Sequence, residues 1–123
     1  MSELDEQIAV IEYCDLRGIE VMHIPNEGKR SASYGAKLKK AGLRKGVPDL
    51  FFPSPRGGYH GLWIEMKDAC GGAVTKEQRA WLRMLKDMGY AAHVCHGFYA
   101  AVGVIESYFK GEGNDRERKD GEA

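Results

Sequence analysis

The stretch Tyr59-His60-Gly61-Leu62-Trp63-Ile64-Glu65-Met66-Lys67 decides how this chain is read. Strand alternation puts His60, Leu62, Ile64 and Met66 on one side, and Trp63, Glu65 and Lys67 on the other. The first set is mostly apolar and belongs to a core. The second places a carboxylate and an ammonium side by side at the end of a strand that is apolar elsewhere. Just upstream, Asp49 to Phe52 reads as another strand, ended by Pro53, and Ser54-Pro55-Arg56-Gly57-Gly58 as the turn between the two. If the strands are neighbours, Asp49 and Glu65 converge on one point.

Downstream, Thr75 opens a helix, with Gln78 placed for a capping box and Gly89 just past its end. Trp81, Leu82, Leu85 and Met88 give that helix an apolar stripe. Ala91 to Cys95 reads as a short strand. A last helix carries Phe98, Val102, Ile105 and Phe109 on one face. Upstream, Ser2 with Asp5 resembles an N-cap and its acidic partner. Leu4, Ile8 and Ile11 follow at helical spacing until Gly18, and Ile19 to His23 is a short β-prone stretch closed by Pro25. From Asn26 to Val47 periodicity is weak, which predicts a long loop with one helical turn around Lys37 to Ala41. The order α-β-β-β-α-β-α predicts an α/β fold, a mixed sheet flanked by helices. Residues 1–110 form one domain, and 111–123 a charged, glycine-containing tail expected to be disordered.

With 123 residues, 43% hydrophobic and 29% charged, the chain has the ordinary composition of a soluble globular domain. The formal net charge is zero, so nothing global announces a nucleic-acid partner. The distribution is uneven, however. Between Glu27 and Asp49 stand Lys29, Arg30, Lys37, Lys39, Lys40, Arg44 and Lys45, with no acidic residue among them. A basic segment of this kind suits phosphate contacts without base reading, and Tyr34 within it can stack on an unpaired base. The plain alternative is a solvated surface loop. Cys14, Cys70 and Cys95 are far apart and form no CxxC pair, so free thiols in a reducing, cytoplasmic compartment are expected. No apolar run is long enough for a bilayer, and no membrane partner is expected.

Two converging carboxylates without histidine or cysteine suit a hard cation such as Mg²⁺. Such an ion polarises a phosphoryl oxygen and acidifies bound water, and an adjacent lysine can position or deprotonate that water. Phosphodiester hydrolysis needs little else. Each residue also has a bland reading: Glu65 and Lys67 as an exposed pair contributing at most about 1 kcal/mol, and Asp49 as a turn residue after Pro48. His93, Cys95 and His96 do not make a zinc constellation, and packed core residues are the expected role. His23 reads as strand-edge structure near the presumed site.

Pro48-Asp49 with Glu65-Met66-Lys67 resembles the PD-(D/E)xK motif of restriction-endonuclease-like folds. The wider series is His23-Ile24-Pro25-Asn26-Glu27-Gly28, Gly46-Val47-Pro48-Asp49-Leu50, Ile64-Glu65-Met66-Lys67 and Thr75-x-x-Gln78. It resembles the virus-type replication-repair nuclease (VRR-NUC) domain, from Glu3 to about Phe109. The resemblance implies a Mg²⁺- or Mn²⁺-dependent DNA endonuclease, with Asp49, Glu65 and the Met66 carbonyl on the metal and Lys67 activating water. It further implies that Glu3 on the first helix assists, with Glu6 as its rival, and that Gln78 steadies Lys67 or a phosphate. Positions 3, 7, 10 and 14 share a helix face, which suits an inward-pointing carboxylate. The implied setting is phage or prophage replication, recombination or repair, on branched DNA such as four-way junctions. A homodimer is expected because paired cuts need two centres, with faces carrying Tyr13, Tyr99 or Tyr108 as candidate interfaces. The rival reading is a non-catalytic DNA-binding module that retains the fold.

Overall fold

The computed structural model describes residues 2–25 and 31–111. Helix α1, Glu3–Leu16, begins at the expected cap. The Ser2 hydroxyl accepts from the Asp5 N–H at 3.1 Å, and Asp5 Oδ2 accepts from the Ser2 N–H at 3.2 Å. The buried face is Gln7, Val10 and Cys14, not the Leu4–Ile8–Ile11 series; Leu4 and Ile8 are 63% and 48% exposed. Polar tertiary contacts at Glu6 and Gln7, described below, fix the helix rotation against its local hydrophobic pattern.

Strand β1, Met22–His23, pairs antiparallel with β2, Leu50–Phe52, which pairs antiparallel with β3, Leu62–Lys67. Helix α3, Lys76–Asp87, then carries the chain over to β4, Ala91–His96, which lies parallel to β3. The sheet order is β1-β2-β3-β4, and α4, Phe98–Lys110, closes the domain. The expected α/β order holds. Alternation along β3 divides the core in two. Leu62, Ile64 and Met66, all fully buried, pack with Val10 and Cys14 of α1 and Ala101 and Ile105 of α4. Trp63 faces the other way, against Leu82, Leu85 and Trp81 of α3. Met88 is 58% exposed and falls off that stripe. On α4 the buried positions are Ala101, Ile105 and Tyr108, so its inner face is rotated from the expected Phe98–Val102–Ile105–Phe109 series.

The segment expected to be a loop with one helical turn contains a nine-residue helix, α2, Ala32–Lys40. The Ser31 hydroxyl caps it by accepting from the Tyr34 N–H at 3.2 Å. None of its residues is buried. Capping and a composition of alanine, leucine and lysine hold it, which is why apolar periodicity did not announce it. Asn26 to Arg30, and the expected tail from Glu112 onward, lie outside the described residues. The cysteines are free thiols, with Cys14 and Cys95 pushed up to about 11 and 12 by burial. Among the described residues no helix is long and apolar enough to cross a membrane.

One close approach ties this scaffold to the residues of interest. Gly46, at φ +91°, lies so near the first turn of α3 that a Cβ there would meet the Glu77 carbonyl carbon at 2.6 Å and the Gln78 nitrogen at 2.8 Å. Only glycine meets both the backbone angle and the space. Gly46→Ala must displace backbone, and is expected to lower unfolding free energy by about 1–3 kcal/mol, read as a lower urea midpoint. An unchanged midpoint would mean that this contact does not hold the loop.

Candidate active site

Asp49 enters β2, and Glu65 and Lys67 end β3. Because Leu50 stands opposite Ile64, the next step of the antiparallel register puts Asp49 opposite Glu65. The expected convergence is therefore a property of strand pairing. Asp49 is 8% exposed and Glu65 2%, which removes the reading of Glu65 and Lys67 as a solvated surface pair. Asp49 Oδ2 accepts from the Met66 N–H at 2.7 Å. A strand residue sends its N–H and C=O to the same side, so the Met66 carbonyl projects toward the Asp49 side as well. Lys67 Nζ lies 3.9 Å from Glu65 Oε2, and its side chain is 12% exposed.

Gln78 forms the expected capping box, but its other contact is with Glu65 rather than with Lys67. Its Oε1 accepts from the Thr75 N–H at 2.9 Å, completing the capping box, while its Nε2 donates to Glu65 Oε2 at 3.2 Å. The amide thus uses opposite ends for α3 and for the carboxylate. Burial raises the Glu65 carboxyl most, followed by the Asp49 charge and a hydrogen bond with Asp49; Lys67 opposes this, Glu3 adds to it, and the group is pushed up to about 8. At neutral pH the raised Glu65 carboxyl favours its protonated form, which relieves the like-charge pair.

Glu3 and Glu6 part ways. Glu3 lines an open recess of about 400 Å³ with Gln7, His23 and Asp49. Glu6 Oε2 instead accepts from the Phe98 N–H at the start of α4, whose N-cap Gly97 has no side chain to do so. Glu6 is thereby committed to joining α1 to α4. Among the described residues no three Asp, Glu, His or Cys side chains gather closely enough to hold a metal ion together; the Glu3 charge is near enough to add to the raising of Glu65. The protein donors available to a cation are the two carboxylates and the Met66 carbonyl. An all-oxygen set of this size fits Mg²⁺, which keeps several of its waters and takes one or two carboxylates.

Neighbouring residues hold this arrangement. His23 Nδ1 lies 3.1 Å from Gln7 Nε2 and 3.2 Å from the Asp49 carbonyl oxygen, which links α1 to the residue that enters β2. The register sets His96 beside Lys67, and its Nδ1 lies 3.1 Å and 3.3 Å from the carbonyl oxygens of Asp68 and Gly71. Those contacts hold the loop after Lys67, and a Cβ on Gly72 would lie 3.5 Å from Lys67 Cδ. The loop therefore passes over the lysine stem. Both His93 and His96 are exposed, contrary to the expected core role; only Cys95 of that trio is buried. The sequence signal for the His96 staple was the pair of glycines at 71 and 72, whose carbonyl geometry is not legible from residue types.

Of the basic residues, Lys37, Lys39 and Lys40 are exposed in the last turn of α2. Arg44 Nη1 donates to the carbonyls of Lys39 and Leu43 at 3.2 and 3.3 Å, and Lys45 is exposed beside Gly46. Lys29 and Arg30 lie outside the described residues.

The VRR-NUC domain model matches residues 2–99, which span every residue of the centre just described. The chain belongs to the VRR-NUC family. A solved structure named as a VRR-NUC domain protein is 30% identical and superposes with a TM-score of 0.79, covering 89% of each chain. No curated protein matches the chain. As a VRR-NUC domain, the chain has a nuclease-type, DNA-processing function and a restriction-endonuclease-like fold.

A carboxyl raised from 4.5 in the unfolded chain to about 8 in the fold binds its proton more tightly when folded. Its stabilising share is complete below pH 4.5 and is lost as pH rises through about 8. In EDTA, the unfolding free energy of this VRR-NUC domain should fall across that window, by at most about 1.4 kcal/mol per pH unit. Glu65→Gln should flatten the dependence. A wild-type profile without that fall, or one that Glu65→Gln leaves intact, would contradict the raised carboxyl.

Proposed function

We propose that this VRR-NUC protein is a Mg²⁺- or Mn²⁺-dependent DNA endonuclease, structure-selective for branched DNA, acting as a homodimer in phage or prophage replication, recombination or repair. The observation that carries the reading is the buried pair Asp49 and Glu65, opposite each other at a strand end beside Lys67. A structural core gains nothing from facing two carboxylates; a site for a cation and a phosphate does. Bound between Asp49, Glu65 and the Met66 carbonyl, the ion would supply Lewis acidity toward the phosphoryl oxygen and an acidified water.

The protein's own groups have distinct tasks. Asp49 accepts from the Met66 N–H through Oδ2, which orients the carboxylate that would hold the ion. Gln78 orients the Glu65 carboxylate through its amide N–H. Lys67, with its stem covered by the 68–72 loop, orients the attacking water and offsets phosphate charge. Glu3 adds negative potential at the recess, favouring a cation there. Lys29, Arg30, Lys37, Lys39, Lys40, Arg44 and Lys45 contact the DNA backbone without reading bases.

Asp49→Asn and Glu65→Gln should each cut nicking of supercoiled plasmid by about a hundredfold or more, a loss of about 3 kcal/mol of transition-state stabilisation. EDTA should abolish nicking by the wild type. Either variant cutting at the wild-type rate would remove that residue from the centre.

One chain carries one such centre, and symmetric incision of two strands calls for two. Of the three tyrosines considered for an interface, Tyr108 is buried, its hydroxyl donating to the Ser54 carbonyl at 2.6 Å. Tyr13 donates to Glu106 at 3.0 Å and lies under the Arg17 guanidinium, while Tyr99 is 87% exposed. The helix face that carries Tyr99 is therefore the one suited to a partner copy. Light scattering at micromolar concentration should give twice the chain mass, and a four-way junction should be cut faster than a linear duplex of the same sequence. Monomer mass, or equal rates on the two substrates, would leave a generic nickase.

A further inference from the structure

Helix α3 carries a second basic surface. Lys76, Arg79, Arg83 and Lys86 are all exposed, and among the described residues none of their side chains takes part in an ion pair or hydrogen bond. At 100° per residue they fall within roughly a quarter of the helix circumference, and they extend about 15 Å along its axis. Leu82 and Leu85 hold an adjoining side of the helix in the core, so the stripe is presented to solvent by a fixed element. Asp87 interrupts it at the far end, and Glu77 lies on another side, against Gly46.

The stripe starts in the turn of α3 that reaches the candidate centre: Gln78, in that same turn but on the inward face of the helix, donates to Glu65. The same turn of α3 is where Gly46 packs, on the Glu77 side, so the basic segment ending at Lys45 reaches the turn in which the stripe begins. Two cationic tracts separated by some thirty residues of sequence thus converge on one turn of α3, the turn that also reaches Glu65.

We infer that the outer face of α3 is a DNA-backbone binding track, which holds the strand flanking the scissile phosphate; this rests on the nuclease reading above. One strand of duplex DNA carries a phosphate about every 3.4 Å of helix axis, so the stripe spans the rise of about four nucleotides. Four unpaired cations on a rigid helix match that polyanion in charge and reach. They give affinity and register but no sequence preference, since arginine and lysine on a phosphate track read no base edge.

The test compares wild type with Arg79→Ala/Arg83→Ala/Lys86→Ala on a 30-base-pair duplex in EDTA, by fluorescence anisotropy between 50 and 200 mM NaCl. The plot of log K against log salt should become shallower by about 2.7 for the three lost phosphate contacts. With Mg²⁺ the same variant should need a higher DNA concentration than the wild type for half-maximal nicking. Arg79→Lys/Arg83→Lys should keep the wild-type slope, which separates loss of charge from loss of folding. A steep wild-type slope that the triple variant retains would overturn the track and leave the nuclease reading standing. A wild type that binds no DNA at any salt concentration would overturn both.

Discussion

With Leu50 opposite Ile64, the next hydrogen-bonding pair of the β2–β3 ladder would join Met66 to residue 48, which is proline. Proline has no N–H to give the Met66 carbonyl, so the main-chain ladder stops, and the Met66 N–H is met by Oδ2 of Asp49 at 2.7 Å in place of a main-chain carbonyl. A backbone donor on a residue as buried as Met66 must find an acceptor. Here the acceptor is a carboxylate, and satisfying the backbone fixes that carboxylate against its neighbour across the strand pair. Everything else in the centre follows from this substitution of a side chain for a main chain. Glu65 has no choice but to face Asp49, and Lys67, two residues on, has no choice but to share their side of the sheet.

Keeping two carboxylates buried opposite each other costs free energy, and the surrounding contacts all act to keep either from turning away. Gln78 holds Glu65 from α3, and Gly46 seats the approach to Asp49 on the same turn of that helix. His23 and Gln7 hold the Asp49 backbone from the α1 side. Glu6 joins α1 to α4, so the layer beneath the sheet cannot slide. These are polar contacts between elements that the two apolar clusters have already brought together. The clusters provide the burial, and the polar contacts choose the rotation of each helix.

That division explains what was legible in the sequence. Motifs that act within a few residues could be read directly: the capping boxes of α1 and α3, alternation in β3, and Glu65 beside Lys67. The convergence of Asp49 with Glu65 was legible because a short turn between two strands leaves little freedom of register. Rotations of α1 and α4 were not legible from their strongest apolar series, because Glu6 and Gln7 on α1 are anchored by partners about ninety and sixteen residues away. Position 7 was nonetheless foreseen on the inward face, because Gln7 shares it with Val10 and Cys14. Helix α2 was missed because a helix without a buried residue leaves no periodic trace. The cations of α3 escaped notice for the opposite reason: the eye follows the apolar side of an amphipathic helix, and an ordinary solvated face looks the same in sequence as a binding track.

The net charge of zero conceals an arrangement that has consequences at a distance. The acidic pair lies in the sheet, with Lys67 beside it, while the exposed cations of α2, of the segment through Lys45 and of α3 stand outside it in solvent. A polyanion approaching from solvent meets the cations first, at separations where their fields add, and the buried carboxylates are felt only at contact. Attraction at long range and repulsion at short range would together reject a phosphate that arrives alone. A divalent ion between Asp49 and Glu65 reverses the short-range sign and leaves the long-range one unchanged. Under the proposed function, the ion therefore does more than assist a bound substrate: it makes the final approach of the phosphate favourable. Proton and cation then compete for the same pair. The raised Glu65 carboxyl couples that competition to pH, because a metal held by the pair would require the Glu65 proton to leave.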